Sequence, residues 1–182
     1  MMKLKHISLI LLASALLSSC TKEEREKMYA DQEKKIESFV DAQKKSHPDV
    51  RVEYNNGSTR VVVTEGSGLE LNARGKASIL FAGYDFTSGN LSAQTMFATN
   101  NYEFAMSNKW NLTDESVFEA IEIDMKDKDI IEGLISGLEG VREGEECYIL
   151  FTGKYAFGKN ELGTIPANAP LAYRIWVQTI EN

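Results

Sequence analysis

The chain has 182 residues, 43% hydrophobic and 26% charged, with 20 Lys and Arg against 27 Asp and Glu, a net charge of −7. Such a composition is globular and allows one ordinary domain plus extra segments. With no basic run beyond the first few residues a nucleic-acid partner is not expected, and with only two Cys and two His a four-ligand structural zinc site free of carboxylates would need all four of them.

The chain opens with two positive residues, Lys3 and Lys5, and an apolar run over 7–17 interrupted only by Ser8 and Ser14. The run is too short to cross a hydrocarbon core of about 30 Å as a helix, so residues 1–19 are expected to be a signal peptide rather than a membrane anchor. It ends in Leu17-Ser18-Ser19-Cys20, which resembles the bacterial lipobox, whose cysteine is acylated and becomes the mature N-terminus. An ordinary secretory signal with an incidental cysteine is the alternative. Two or three acyl chains on Cys20 would hold the protein at a membrane, each buried CH₂ contributing about 0.8 kcal/mol. No Asp follows Cys20, and Lys22-Glu23-Glu24 resembles the surface-export tag of some Gram-negative lipoproteins. The expected location is therefore the envelope of a Gram-negative bacterium, at the outer membrane, on its periplasmic or surface face. Once Cys20 is acylated, Cys147 is the single free thiol, and its alternating apolar surroundings predict a small core residue.

Residues 20–48 read as a helical stalk. From 22 to 45 there is no Gly or Pro, and Met28, Tyr29, Ile36, Phe39 and Val40 fall on one helical stripe. Pro48 closes the segment. A mostly solvated stalk with one packed turn is expected; a stripe that pairs with a second copy to make a homodimer is the alternative. Residues 49–182 form one domain. Val50, Val52 and Tyr54 alternate, Asn55-Asn56-Gly57 turns the chain and residues 60–63 return, which predicts a hairpin. Residues 84–117 read as irregular, though Tyr84, Phe86, Phe97, Tyr102, Phe104 and Trp110 argue against disorder. Further strands are predicted over 77–81, 118–125, 145–151 and 171–180. A short helix is predicted over 129–138, capped by Asp127 or Asp129. The fold class is α+β: an antiparallel sheet of about five or six strands wrapped on one short helix, with one core between them, preceded by the N-terminal helix.

Ile130-Ile131-Glu132-Gly133-Leu134-Ile135-Ser136-Gly137-Leu138 and the following Val141-Arg142-Glu143-Gly144-Glu145 match the patterns V-I-x-G-W-x-x-G-L and M-x-x-G-E. Lys154-Tyr155-Ala156-Phe157-Gly158 matches Y-A-Y-G, and the run from Ile165-Pro166 to Tyr173 matches I-P-P-N-A-T-L-V-F. With Gly66, Gly68, Gly75 and Ile79-Leu80-Phe81-Ala82-Gly83 upstream, residues 66–182 resemble the FKBP-type peptidyl-prolyl cis-trans isomerases. That resemblance implies an apolar pocket for the proline ring of an X–Pro substrate and rotation about one amide bond, with no nucleophile, metal or cofactor. It implies catalytic positions at Ile131, whose backbone N–H receives a substrate carbonyl, and at Phe157. It implies substrate-binding positions at Phe81, Phe97, Ile130, Leu134, Ile165 and Tyr173.

The departures from the pattern are chemical. Phe81 stands for a Tyr, Ala98 for an Asp, Leu134 for the floor Trp, and Phe157 for the Tyr whose hydroxyl bonds the substrate carbonyl. The apolar cup is kept and its polar groups are largely gone. The chain is also longer than a minimal family member, with the extra residues between 84 and 120. Two readings follow. One is a lipid-anchored prolyl isomerase that assists folding of proline-containing envelope polypeptides. The other is a catalytically inactive FKBP-like binding module or chaperone-like subunit of an envelope complex.

Overall fold

The uninterrupted run of helix formers makes one long element, α1 (Leu4–Ser46), which stops just before Pro48, as expected where a ring removes the next backbone donor. The computed structural model describes the backbone of residues 4–110 and 118–182 and the side chains from Lys22 onward. The lipobox side chains, Cys20 among them, and residues 111–117 of the insert lie outside the described residues. Asn56 (φ +45°) and Gly57 (φ +83°) form the turn between β1 (Arg51–Asn55) and β2 (Ser58–Thr64). Both occupy the left-handed region that a two-residue hairpin turn needs.

The remaining elements are β3 (Lys76–Asp85), β4 (Met96–Thr99), α2 (Tyr102–Ser107), β5 (Ile121–Asp124), α3 (Glu132–Leu138), β6 (Glu146–Phe151) and β7 (Leu171–Glu181). They make one antiparallel sheet in the order β1-β2-β6-β7-β3-β4, with β5 also paired to β3. The sheet therefore has seven strands. The strand beyond the expected number is β4, inside the segment that reads as irregular; it is four residues long and meets β3 through a register shift at Gly83/Tyr84.

Both faces of the sheet are covered, so there are two cores rather than one. On one face α3 brings Leu134 and Leu138 against Ile149, Phe151, Tyr173 and Ile175. On the other, Ile36 and Val40 of α1 meet Val61, Tyr84, Phe86, Leu150 and Ala172. Phe39 stands edge-on to Phe86 and Tyr148, with ring centroids 5.8 and 5.3 Å away. The helix is thus seated over several turns, from Tyr29 to Val40, where a single packed turn was expected. The reason is that β6 and β7 are apolar on both faces: successive residues such as Ile149 and Leu150 point to opposite sides, and each side then needs a cover. The insert joins the same cover, with Phe104 against Trp176 and Trp110 in the second core, while Tyr102 packs on Phe118 and stays partly exposed.

α3 is shorter than predicted and begins at Glu132. Its N-cap residue is Ile131, which makes no side-chain cap. Asp127 instead accepts a hydrogen bond from the Asp129 backbone N–H at 2.9 Å and closes the preceding turn. Gly133 and Gly137 set how closely α3 lies on the sheet. A Cβ at Gly137 would overlap the Ile149 side chain, and one at Gly133 the Phe151 ring. Each glycine gives up roughly 1 kcal/mol of helix propensity relative to Ala, so the close approach must be worth more. Gly137→Ala is accordingly expected to lower the unfolding free energy by about 1–3 kcal/mol, as overpacked cores do, despite the better helix former. Urea unfolding of the two proteins checks this, and an unchanged or higher midpoint would show that the helix has room to move.

Candidate functional site

One apolar cleft of about 540 Å³ opens between the start of α3, the β3–β4–β5 side of the sheet and the loop that follows β6. Each residue reaches it for a local reason. Phe81 sits mid-way along β3 and points to the α3 side of the sheet. Gly83, two residues on, has no Cβ to collide with the Phe97 ring of the neighbouring β4. Phe97 can therefore lie across β3 and meet Tyr173 edge-on at 5.9 Å. Tyr173, on β7, is also 6.0 Å from Phe81 and stacks on Phe151 at 6.0 Å. Leu134 and Ile165 are buried at the base. Ile130, Ile131 and Phe157 are half-buried on the walls.

All eight positions singled out in the sequence, Ile131, Phe157, Phe81, Phe97, Ile130, Leu134, Ile165 and Tyr173, line this one cleft. Ala98 lines it too, at the place where the sequence pattern has an acid. The Ile131 N–H has no hydrogen-bond partner among the described residues, as first-turn amides of a helix commonly do not. Two residues on, the Gly133 N–H donates to the Tyr155 carbonyl at 2.9 Å and ties α3 to the loop after β6.

The cleft has few polar groups. The Tyr173 phenol has no hydrogen-bond partner among the described residues, and burial pushes its pKa far above the ordinary tyrosine value. It stays neutral, a hydrogen-bond donor at any working pH. Asp129 and Thr164 are exposed at the rim. Cys147 takes no part: it is fully buried, burial pushes its thiol pKa up, and it lies in the core under the sheet.

Sequence reasoning did not single out Ile121, Leu162 and Thr164 as lining residues, nor Asn100 as a buried tie behind the cleft wall. Asn100 is buried, accepts from the Phe81 N–H at 2.5 Å, and donates to the carbonyls of Ile79 at 3.1 Å and Glu119 at 2.9 Å. One side chain thereby fixes β3 against the strand that carries Ile121. Its only signal in the sequence is an Asn two residues after a short apolar stretch, which is indistinguishable from a loop residue.

Residues 89–178 match the family model of the FKBP-type peptidyl-prolyl cis-trans isomerases. Among solved structures the chain is similar to FkpA from Escherichia coli, with a TM-score of 0.56 and 18% identity over 99% of this chain and 74% of that one. It is similar to a peptidyl-prolyl cis-trans isomerase from Pseudomonas syringae pv. tomato, with a TM-score of 0.54 and 18% identity over 84% of this chain and 95% of that one. A multi-domain immunophilin from Arabidopsis thaliana gives a TM-score of 0.56 at 18% identity, with 74% of this chain covering 46% of that longer one. At these identities the structural likeness speaks for the fold. No curated sequence relative matches the chain.

Proposed function

The chain belongs to the FKBP-type peptidyl-prolyl cis-trans isomerase family, and on that premise we propose that its cleft binds X–Pro segments of polypeptides and catalyses their cis–trans isomerisation. The observation that carries the reading is the convergence of all eight family positions on one apolar cleft of about 540 Å³. The uncatalysed rotation has a barrier of ~18–20 kcal/mol because it breaks amide resonance. A planar amide is more dipolar than a twisted one, so transfer into an apolar, water-poor cleft disfavours the ground state more than the transition state. Phe81, Phe97, Leu134, Ile165 and Tyr173 supply that environment and the shape. The Ile131 N–H is the donor for the substrate carbonyl on the α3 side, and the Tyr173 hydroxyl is the phenol that this cleft retains.

The same proposal places the protein in the envelope of a Gram-negative bacterium, held at the outer membrane by acyl chains on Cys20, with exported polypeptides as clients. A binding module without catalysis is the second reading, and the specific observation in its favour is that Ala98, Leu134 and Phe157 replace polar or aromatic groups of the family pattern.

The test is isomerisation by residues 21–182 of a short X–Pro peptide and of a protein whose refolding waits on proline. Acceleration of both is the expected result. Acceleration of refolding alone would move recognition to the insert at 84–120. A folded sample that binds the peptide and accelerates neither would establish the binding module.

A further inference from the structure

The loop that follows β6 supplies Phe157, Leu162, Gly163, Thr164 and Ile165 to the cleft. It leaves the sheet at Gly153 and returns at Asn168. Its two ends touch: a Cβ on Gly153 would overlap the Asn168 backbone. Inside the loop the Gly158 N–H donates to the Gly153 carbonyl at 3.0 Å, and the Asn168 N–H to the Gly158 carbonyl at 2.5 Å. The outer side of both ends is held by a different element altogether.

Gln32 of α1, 6% exposed, bridges them with one side-chain amide. Its Oε1 accepts from the Gly153 N–H at 2.9 Å, and its Nε2 donates to the Asn168 carbonyl at 2.8 Å. One turn earlier, the Tyr29 hydroxyl donates to Asn168 Oδ1 at 2.8 Å. Asn168 itself sits at φ +58°, in the left-handed region that few residues other than glycine and asparagine adopt readily. Three residues beyond Gln32, Lys35 reaches the Thr87 carbonyl at 2.5 Å, in the turn whose Phe86 N–H bonds the Pro170 carbonyl at 2.9 Å.

We propose that α1 is a working part of the cleft, with Gln32 as a positioning residue that clamps the base of the loop and so fixes Phe157 and Ile165 against α3. The proposal rests on the cleft being the X–Pro site. It makes the helix between the expected lipid anchor and the domain part of the site's framework, so that whatever engages α1 also bears on the cleft. The hydrogen bonds of Gln32 go to Gly153 and Asn168, neither of which lines the cleft, so it acts through them.

The experiment compares the full-length protein in detergent with its Gln32→Leu and Gln32→Glu variants, by hydrogen exchange and by affinity for an X–Pro peptide. Leu keeps the helix and its packing volume but removes both bonds. Two buried hydrogen bonds, each contributing about 0.5–1.5 kcal/mol, together correspond to a change of about fivefold to about a hundredfold, with tenfold well inside that range. Amides of Tyr155, Gly158 and Asn168 are expected to exchange about tenfold faster in Gln32→Leu, while β3 and β7 amides keep their rates. Peptide Kd is expected to weaken by a similar factor. Glu keeps the acceptor for Gly153 but sets a second oxygen against the Asn168 carbonyl at a nearly buried site, so as a carboxylate it is expected to loosen the loop at least as much as Leu. Unchanged loop exchange in Gln32→Leu overturns the clamp. So does a uniform rise across α1 and the whole sheet, which would make Gln32 a simple anchor of the helix. Should the parent protein bind no X–Pro peptide, the functional reading fails, and the exchange comparison still decides the clamp.

Discussion

Arg60→Met is expected to lower the unfolding free energy by about 3–5 kcal/mol, the usual consequence of removing one partner of a buried ion pair. Arg60 is 3% exposed and Glu145 1%. The guanidinium Nη1 donates to the Gly137 carbonyl at 3.0 Å and the Glu139 carbonyl at 2.7 Å, closing the C-terminus of α3. Nη2 donates to Glu53 at 3.1 Å, and Nε lies 3.5 Å from Glu145 Oε1. Met fills much of the volume but leaves a buried carboxylate whose remaining cation, Arg51, is 3.5 Å away and half-exposed. Two helix-end carbonyls also lose their donor. The loss depends on pH with a definite sign. Burial already raises the Glu145 pKa above its ordinary 4.5, with Arg60 and then Arg51 opposing the rise. Without Arg60 the folded-state pKa climbs further. A carboxyl raised in the folded state adds its stability below the unfolded value and loses it as pH rises through the folded one. The deficit of the variant is therefore smallest below the parent's folded-state pKa of Glu145 and grows as pH rises from there to the higher folded-state pKa of the variant. Urea unfolding of both proteins from about pH 4 to about pH 8 checks this. A deficit under about 1 kcal/mol, or one independent of pH, would refute the account. Replacing Glu145 by Leu in the same chain is expected to recover most of the loss, since an apolar pair has no charge to strand.

That pair also marks where sequence reading stopped. The hairpin was legible because Asn56-Gly57 is a turn chemistry with one preferred geometry, and β7 because its apolar residues alternate. The cleft was legible because ordered motifs singled out Ile131, Phe157 and Tyr173 together, and all three line one cleft. What periodicity cannot reveal is which polar residue goes inside. Arg60 and Asn100 both sit beside apolar stretches and read as surface or loop residues, yet both are buried because backbone carbonyls wait for them. Gln32 reads as one more polar residue on a charged helix. Its role depends on two chain positions more than a hundred residues away that meet only in the folded state. The second core escaped for a related reason: an apolar stripe on a helix says that something is covered, not which face of which sheet.

Phe81→Glu and Phe157→Tyr are expected to move X–Pro isomerisation in opposite directions by unequal amounts, and the inequality tests how the cleft works. Phe81 is half-buried on the cleft wall, against Tyr173. A carboxylate there must either stay hydrated, which lets water into the cleft, or take up a proton; either way the environment that favours the twisted amide is lost. A desolvation penalty of roughly 3 kcal/mol or more corresponds to a fall of at least about a hundredfold in kcat/KM. Phe157→Tyr restores the hydroxyl at the position where the family pattern has one, on a ring already in the cleft. A neutral hydrogen bond contributes about 0.5–1.5 kcal/mol net, so the gain is at most about tenfold. Phe157→Tyr keeps its ring, whereas Phe81→Glu loses the ring that packs on Tyr173, so circular dichroism with thermal melting is needed to separate loss of fold from loss of function. If shape and dryness carry the catalysis, Phe81→Glu abolishes nearly all of it and Phe157→Tyr adds little. A gain of a hundredfold or more from Phe157→Tyr would reverse that order. It would mean that the hydrogen bond is the main lever, and that this cleft, with phenylalanine at 157, is built to hold proline-containing chains more than to turn them.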